Sequence, residues 1–242
     1  MDDLTVGGLV CGCGIEASSH KYGLFQSTCI AFEVVLSDGS VVTCSKTENP
    51  DLFDAIPWSY GTLGFLVSAT IAIIPAKKWV RLEYHPCHTE DDLAKRFIEE
   101  SNRGLAHPID GVTGVPKTKL VNSSKPAVEF VEALVYNKDQ SVLMLGDMVD
   151  EAPIMQRNYI ALWFKPWFYH HVASYLTKTQ NADGSNFVEY IPLREYYHRH
   201  TKSIFWELSD IIPGGHNVIF RWLFGWMVPP KVSFLKLTQT EA

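Results

Sequence analysis

Two runs rich in β-branched residues, 31–36 and 40–44, flank Ser37-Asp38-Gly39. An Asp-Gly pair in that setting predicts a β-hairpin, because glycine readily takes the positive φ of a tight turn. Asn49-Pro50-Asp51 then predicts a helix start: Asn49 can cap, Pro50 already has the φ of a first helical turn, and Asp51 suits the positive end of the helix dipole. The short helix should run through Leu52, Phe53 and Ala55 and end before Pro57. A largely apolar run over 67–74 reads as a buried strand. After Pro75-Ala76-Lys77-Lys78 the pattern changes to longer charged and aromatic stretches, which places a domain boundary near residue 78. Strands are predicted over 79–84, 128–136 and 141–149. A helix is predicted over 90–101, where Leu93, Ala94, Phe97 and Ile98 recur at helical spacing. Residues 102–126 hold three prolines and three glycines with little periodicity and predict an exposed loop.

From Tyr159 to Trp226 the chain turns strongly aromatic, with Trp163, Phe164, Trp167, Phe168 and Tyr169 followed by Tyr190, Tyr196, Tyr197, Phe220, Trp222, Phe224 and Trp226. Such side chains can line a pocket for a large flat apolar ligand, sit at a membrane interface, or simply fill a core. Tyr196, Tyr197 and His198 are titratable within this setting and are candidates for proton donation; core or surface hydrogen bonding is the alternative for each. His198 and His200 would share one face of a strand, but no carboxylate or cysteine cluster accompanies them in sequence, so no metal is expected there.

Composition narrows the field. A 46% hydrophobic, 20% charged chain of 242 residues can bury one large core or two modest ones. Its net charge of −6, without a basic stripe, argues against a nucleic-acid partner. The five cysteines, Cys11, Cys13, Cys29, Cys44 and Cys87, are odd in number and contain no C-x-x-C, so neither a disulfide scaffold nor a zinc site is expected. The acidic, glycine-rich start does not read as a signal peptide, and no window reaches the roughly 18 apolar residues of a spanning helix.

The first two dozen residues carry the strongest chemical signal. Gly7, Gly8, Gly12, Gly14 and Gly23 lie among small and hydroxylated residues, a composition that admits close backbone approach to a ligand. Successive free N–H groups in such a loop form an anion-binding concavity, to which Ser18, Ser19 and His20 could add hydrogen bonds. A cradle for a flavin nucleotide is one reading, and a plain glycine-rich turn is the other. The stretch is not a P-loop, since no Gly-Lys-Ser/Thr follows. It also departs from G-x-G-x-x-G, because Ala17 stands at the third glycine. Gly61-Thr62-Leu63-Gly64-Phe65 is a second point of close backbone approach, or a second plain turn.

Taken together, Thr5-Val6-Gly7-Gly8, Gly12, Gly14, Ser18, Ser19, Tyr22-Gly23, Val35-Leu36-x-Asp38-Gly39, Asn49-Pro50-Asp51-Leu52-Phe53 and Gly61-Thr62-Leu63-Gly64-Phe65 resemble the vanillyl-alcohol-oxidase-type, or PCMH-type, FAD-binding superfamily. Within it, Ile73-Ile74-Pro75-Ala76-Lys77-Lys78, Lys165-Pro166-Trp167-Phe168, Glu189-Tyr190-Ile191-Pro192-Leu193-Arg194, Tyr196-Tyr197-His198-Arg199-His200-Thr201 and Leu223-Phe224-Gly225-Trp226-Met227-Val228-Pro229-Pro230-Lys231 resemble the delta(24)-sterol reductases. The resemblance implies an α+β fold: the second half of a PCMH-type FAD-binding domain over 1–78, then part of an α+β substrate, or cap, domain over 79–242 with an inserted loop near 104–125. It implies reduction of the sterol side-chain C24–C25 double bond, with FAD as carrier, NADPH as hydride donor and a sterol as partner. By position, Thr5, Val6, Gly7, Gly8, Gly12, Gly14, Ser18, Ser19, His20, Gly23, Gly61, Thr62, Gly64 and Phe65 would meet the FAD. It also implies a cytosol-facing place at the endoplasmic reticulum membrane, held by segments outside this chain. Members of the family extend beyond both ends of the present sequence, so the chain is expected to be an internal piece that by itself holds FAD weakly or not at all and is a poor catalyst. Another FAD-dependent oxidase of the superfamily, or a non-catalytic truncated product binding a sterol or a protein, are the alternatives.

Overall fold

The computed structural model describes residues 4–104, 126–178, 187–201, 212 and 214–227. The chain divides into two compact units, one formed by Leu4–Pro75 and the other by the residues from Ala76 onward. The insertion expected near 104–125 lies, apart from Gly104, outside the described residues.

In the first unit, β1 (Cys29–Val35) pairs antiparallel with β2 (Val41–Ser45) on one side and with β3 (Phe65–Ile71) on the other. The β1–β2 hairpin closes where the sequence places it. Asp38 accepts hydrogen bonds from the Ser40 backbone N–H at 2.9 Å and from the Ser40 hydroxyl at 2.6 Å, and Gly39 has φ +84°. Helix α3 (Pro50–Ala55) follows, but Asn49 does not cap it. Asn49 sits in the left-handed region at φ 47°, and its amide nitrogen donates to the Thr43 carbonyl at 2.8 Å, tying the helix start to β2. The glycine-rich opening, read as a loop, contains a short helix, α1 (Val6–Cys11), whose Thr5 hydroxyl accepts from the Gly8 N–H at 3.1 Å. That single cap offsets the poor helix propensity of two adjacent glycines.

Phe53 of α3 stacks on Phe32 of β1 at 5.1 Å, and Val10, Cys29, Val34, Cys44 and Ile56 complete this core. The strand expected over 67–74 is present with its ends shifted, and it is not buried. It spans Phe65–Ile71, with Phe65 75% and Val67 55% exposed. Pairing explains the exposure, because Val35, Val41 and Phe65 are in register on the sheet face opposite Phe32, Cys44 and Ala69, which is the face that α3 covers. An apolar run marks a strand without saying which face receives a layer.

The second unit is built on a four-stranded antiparallel sheet in the order β5-β6-β4-β7, with β4 Trp79–Cys87, β5 Phe130–Asn137, β6 Gln140–Val149 and β7 Phe187–Pro192. β4 and β6 pair from Trp79↔Val149 to Cys87↔Ser141. Helix α4 (Glu90–Asn102), capped by the Thr89 hydroxyl on the Asp92 N–H at 3.1 Å, packs on one face over Cys87, Val131, Leu143 and Leu145. Segments of the aromatic region, including α5 (Phe168–Ala173) and α6 (Leu193–Tyr197), cover the other face, where Val80, Leu82, Tyr84, Val142 and Met144 are fully closed off. The strand expected around His198 and His200 is instead the end of α6 and a turn. His200 Nε2 lies 3.0 Å from Glu132 Oε1, while Arg199 donates to Glu132 Oε2 through Nε at 3.0 Å and its terminal nitrogen at 2.6 Å. Glu132 points into the layer between β5 and this turn. Burial would raise its carboxyl, but Arg199 and His200 outweigh burial and bring it down to about 2.

Candidate functional site

Chemistry-bearing residues gather in two places, one in each unit. In the first unit the two glycine-rich stretches lie side by side: the Tyr60 N–H donates to the Cys11 carbonyl at 2.9 Å and the Trp58 N–H to the Val10 carbonyl at 3.4 Å. Buried Gln26 clips them together. With its amide nitrogen toward the Leu9 carbonyl at 3.2 Å, its oxygen accepts from the Trp58 indole at 3.3 Å. Local signals do not reveal Gln26, because its two partners lie 17 and 32 positions away in the sequence.

The loop joining α3 to β3 is strained. Trp58, Tyr60 and Gly61 have φ of 68°, 51° and 77°, and Trp58 and Tyr60 are large side chains that rarely adopt this region. Trp58 and Tyr60 are also 51% and 79% exposed. Backbone strain beside exposed aromatic groups is where ligand clamps concentrate.

The glycines separate into two kinds. A Cβ on Gly12, Gly14, Gly23 or Gly64 would meet atoms of the unit within 2.7 Å, so these four are glycine for packing. A Cβ on Gly7 or Gly61 would meet nothing within 4 Å, which leaves both backbones open to an approaching group. That openness fits a nucleotide cofactor lying against α1 and the 58–64 loop. Thr5 is engaged as the α1 cap, Val6 is exposed, and the Thr62 hydroxyl donates to the Ser59 carbonyl at 2.7 Å. Ser18, Ser19 and Gly23 line a mostly apolar groove of about 340 Å³ with Tyr22, Phe25 and Ile74, the Ser19 hydroxyl accepting from the Glu16 N–H at 2.8 Å. His20 lies in the short helix Ser19–Tyr22, and Phe65 opens β3 on the uncovered sheet face.

The second place is a polar cavity of about 420 Å³ in the unit that begins at Ala76, lined by Arg157, Asn158, Lys165, His171, Tyr175 and Glu189 among others. Glu189 stands at an inward register position of β7, opposite Leu82 and between Phe187 and Ile191. Its carboxylate accepts from Tyr84 Oη, from Asn158 Nδ2 at 2.8 Å and from Tyr175 Oη at 3.4 Å, and His171 Nε2 lies 2.9 and 3.1 Å from its two oxygens. Burial would raise this carboxyl, yet the His171 charge and the hydrogen bonds of His171, Tyr84 and Asn158 hold it below the usual carboxylate range. An ionised carboxylate only accepts, so His171 Nε2 carries the hydrogen. Lys165 Nζ donates to Asn158 Oδ1 at 3.0 Å and extends the network along the cavity. Burial and the Glu189 charge push the Tyr84 and Tyr175 hydroxyls above the ordinary tyrosine value.

Of the residues singled out for proton donation, Tyr196 is packed in the core against Phe130 at 4.9 Å, and Tyr197 and His198 are exposed beside it. The polar cavity is lined by other groups, drawn from residues 155 to 189, which sequence reasoning missed because they meet at Glu189 only through tertiary packing, Tyr84 reaching the same carboxylate from 105 positions away. One signal was available: a glutamate alternating with Phe187 and Ile191 on the inward face of a strand. Among the described residues no three His, Cys, Asp or Glu side chains gather as metal ligands, and no helix is long and apolar enough to cross a membrane.

Comparison with known proteins adds to this geometry. A sequence family described as an FAD binding domain matches residues 1–45. The human delta(24)-sterol reductase is 55% identical over 241 residues, covering 100% of this chain. The chain belongs to the delta(24)-sterol reductase family. The family's reductase from pea is 43% identical over 100% of the chain. A rice protein named cytokinin dehydrogenase 4 is 32% identical over 66% of the chain, so similarity reaches further than the sterol enzymes at a lower level. The chain spans 42% of the length of the human relative and 40% of the pea relative.

Proposed function

We propose that the protein carrying this chain reduces the C24–C25 side-chain double bond of a sterol, with FAD as redox carrier and NADPH as hydride source. The observation that carries the proposal is identity of 43–55% across the whole chain to delta(24)-sterol reductases from animals and plants. The cofactors supply the hydride chemistry. The chain's own part is binding and orientation: the open backbone at Gly7 and Gly61 and the strained loop around Tyr60 form one wall of the FAD site, with Thr5 fixing the helix that presents Gly7. Binding of FAD by the set from Thr5 to Gly23 and from Gly61 to Phe65 is part of the same proposal, as is a cytosol-facing position at the endoplasmic reticulum membrane. The aromatic covering of the second sheet suits a rigid apolar substrate.

The test is to express the complete reading frame in cells lacking their own reductase and supply a sterol with a C24–C25 double bond. Saturation of that bond, followed by mass spectrometry, is the expected result. Absence of conversion by protein that carries bound FAD would remove the proposal. An oxidase acting on other substrates is the weaker reading, because identity falls to 32% over two thirds of the chain outside the sterol enzymes.

A further inference from the structure

We propose that Gln26 is a positioning residue for FAD: it locks the C-terminal end of α1 to the 58–60 stretch and so fixes the wall against which the cofactor lies. The inference rests on the reading of that wall as a flavin site, and every residue it uses belongs to the unit Leu4–Pro75.

A six-residue helix cannot satisfy its last carbonyls from within. In α1 three of them are met by donors from elsewhere in the chain: Leu9 by the Gln26 amide at 3.2 Å, Val10 by the Trp58 N–H at 3.4 Å and Cys11 by the Tyr60 N–H at 2.9 Å. Gln26 thus supplies one cap directly. Its oxygen, accepting from the Trp58 indole at 3.3 Å, also holds the residue that supplies the next. The 58–60 stretch depends on such bonds. Trp58 and Tyr60 have φ of 68° and 51°, and side chains of this size stay in the left-handed region only where their surroundings over-determine them.

Gln26 itself stands on a fixed base. It lies in the short 3-10 turn Phe25–Thr28, whose Phe25 N–H donates to the Gly14 carbonyl at 2.7 Å and whose Thr28 carbonyl accepts from the Ala72 N–H at 2.9 Å. The turn leads directly into β1 at Cys29. Gln26 is 6% exposed, whereas Trp58 and Tyr60 are 51% and 79% exposed, so the glutamine acts from inside the unit on a surface it barely forms. Both open backbones hang on its bonds: Gly7 stands two residues before Leu9 in α1, and Gly61 follows Tyr60. Space-filling is a poor account of this residue, because a buried amide is costlier than an apolar side chain unless its hydrogen bonds are used. Here both bonds go to the two stretches that form the wall.

The test uses the complete protein, stripped of flavin and titrated with FAD. Gln26→Leu removes both bonds with little change of volume, and Trp58→Phe keeps an aromatic ring but removes the indole donor. Gln26→Leu should weaken FAD binding by roughly 10–100-fold, the effect of one or two unmade buried hydrogen bonds. Trp58→Phe should weaken it less in the Gln26→Leu background than in the wild type, because the bond it removes is already gone. In flavin-free Gln26→Leu the Trp58 and Tyr60 amides should exchange with deuterium faster, while those of the β1–β2 hairpin keep their wild-type rates. Wild-type FAD affinity in Gln26→Leu would overturn the proposal, as would fully additive losses in the double variant. Exchange quickened evenly through the unit would also overturn it, since a merely structural role does that. Should Gln26→Leu fail to fold, Trp58→Phe decides: a wild-type exchange rate at the Tyr60 amide would overturn the proposal, and a faster one confined to 58–60 would support it. A wild-type protein that binds no FAD would instead overturn the flavin reading, and the positioning role with it, whatever the exchange rates.

Discussion

In the unit Leu4–Pro75 the sheet is covered on one face, and Phe65 and Val41 on the other stay 75% and 65% exposed. In the unit that begins at Ala76 both faces are covered, and Val80, Leu82 and Tyr84 of β4 are closed off completely. Polar chemistry follows the same division. The first unit keeps its open backbone at Gly7 and Gly61 and its strained loop on the surface; the second carries its polar groups inside, as a carboxylate ringed by donors. A half-covered sheet leaves room for a cofactor to lie against backbone. A fully covered one can hold a charged pair in fixed geometry, because low local dielectric strengthens each hydrogen bond and makes each unmade one costly.

The comparison can be broken most sharply at Glu189. Glu189→Ala should destabilise the second unit by about 3–5 kcal/mol, since it strands His171, Tyr84 and Asn158 beside an empty site. Urea unfolding followed by tryptophan fluorescence would show this, and a loss under about 1 kcal/mol would mean that the network is not closed to water.

Acid should expose the same interior. Folded Glu132 lies at about 2, below the roughly 4.3 of an unfolded glutamate, so its contribution is fully present above about pH 5 and is lost as pH falls toward 2. Two units or so correspond to about 3 kcal/mol, and Glu132→Gln should flatten the stability curve of the second unit between those pH values.

Smaller effects should separate the glycines of the first unit. Gly64→Ala places a Cβ 2.5 Å from Val34 Cγ1 and 2.7 Å from the Val35 carbonyl oxygen and should cost about 1–3 kcal/mol. Gly7→Ala lies inside α1 with open space around it and should leave stability unchanged or raise it by up to about 1 kcal/mol, while weakening FAD binding in a flavin titration. Equal losses of stability in the two variants would erase the distinction between packed and open glycines. Least of all, Phe65→Thr on the uncovered face should shift unfolding by no more than about 0.5 kcal/mol.

Local chemistry made much of the fold legible. Asp38-Gly39 specified the β1–β2 turn, Pro50 the start of α3, and the spacing of Leu93, Phe97 and Ile98 the helix α4, because each signal needs only neighbours a few residues away. The change of pattern after Pro75-Ala76-Lys77-Lys78 was the ground for expecting a boundary near residue 78, since composition follows the kind of core each stretch builds; the compact units divide at Pro75. The glycine-rich stretches were legible as places of close approach, but not which glycines face inward. Gly14 and Gly61 look alike in sequence, yet a Cβ on the first would strike Phe25 and one on the second would strike nothing.

By itself, then, the sequence determined most of the local elements and the family, which rest on short-range patterns or on matched residue order. Tertiary structure alone decided which face of β3 stayed open and which residues met in the second unit. Sheet register and layer coverage are long-range: they carried Tyr84, Asn158, His171 and Glu189 to one carboxylate, and placed Tyr196 in the core and His198 on the surface.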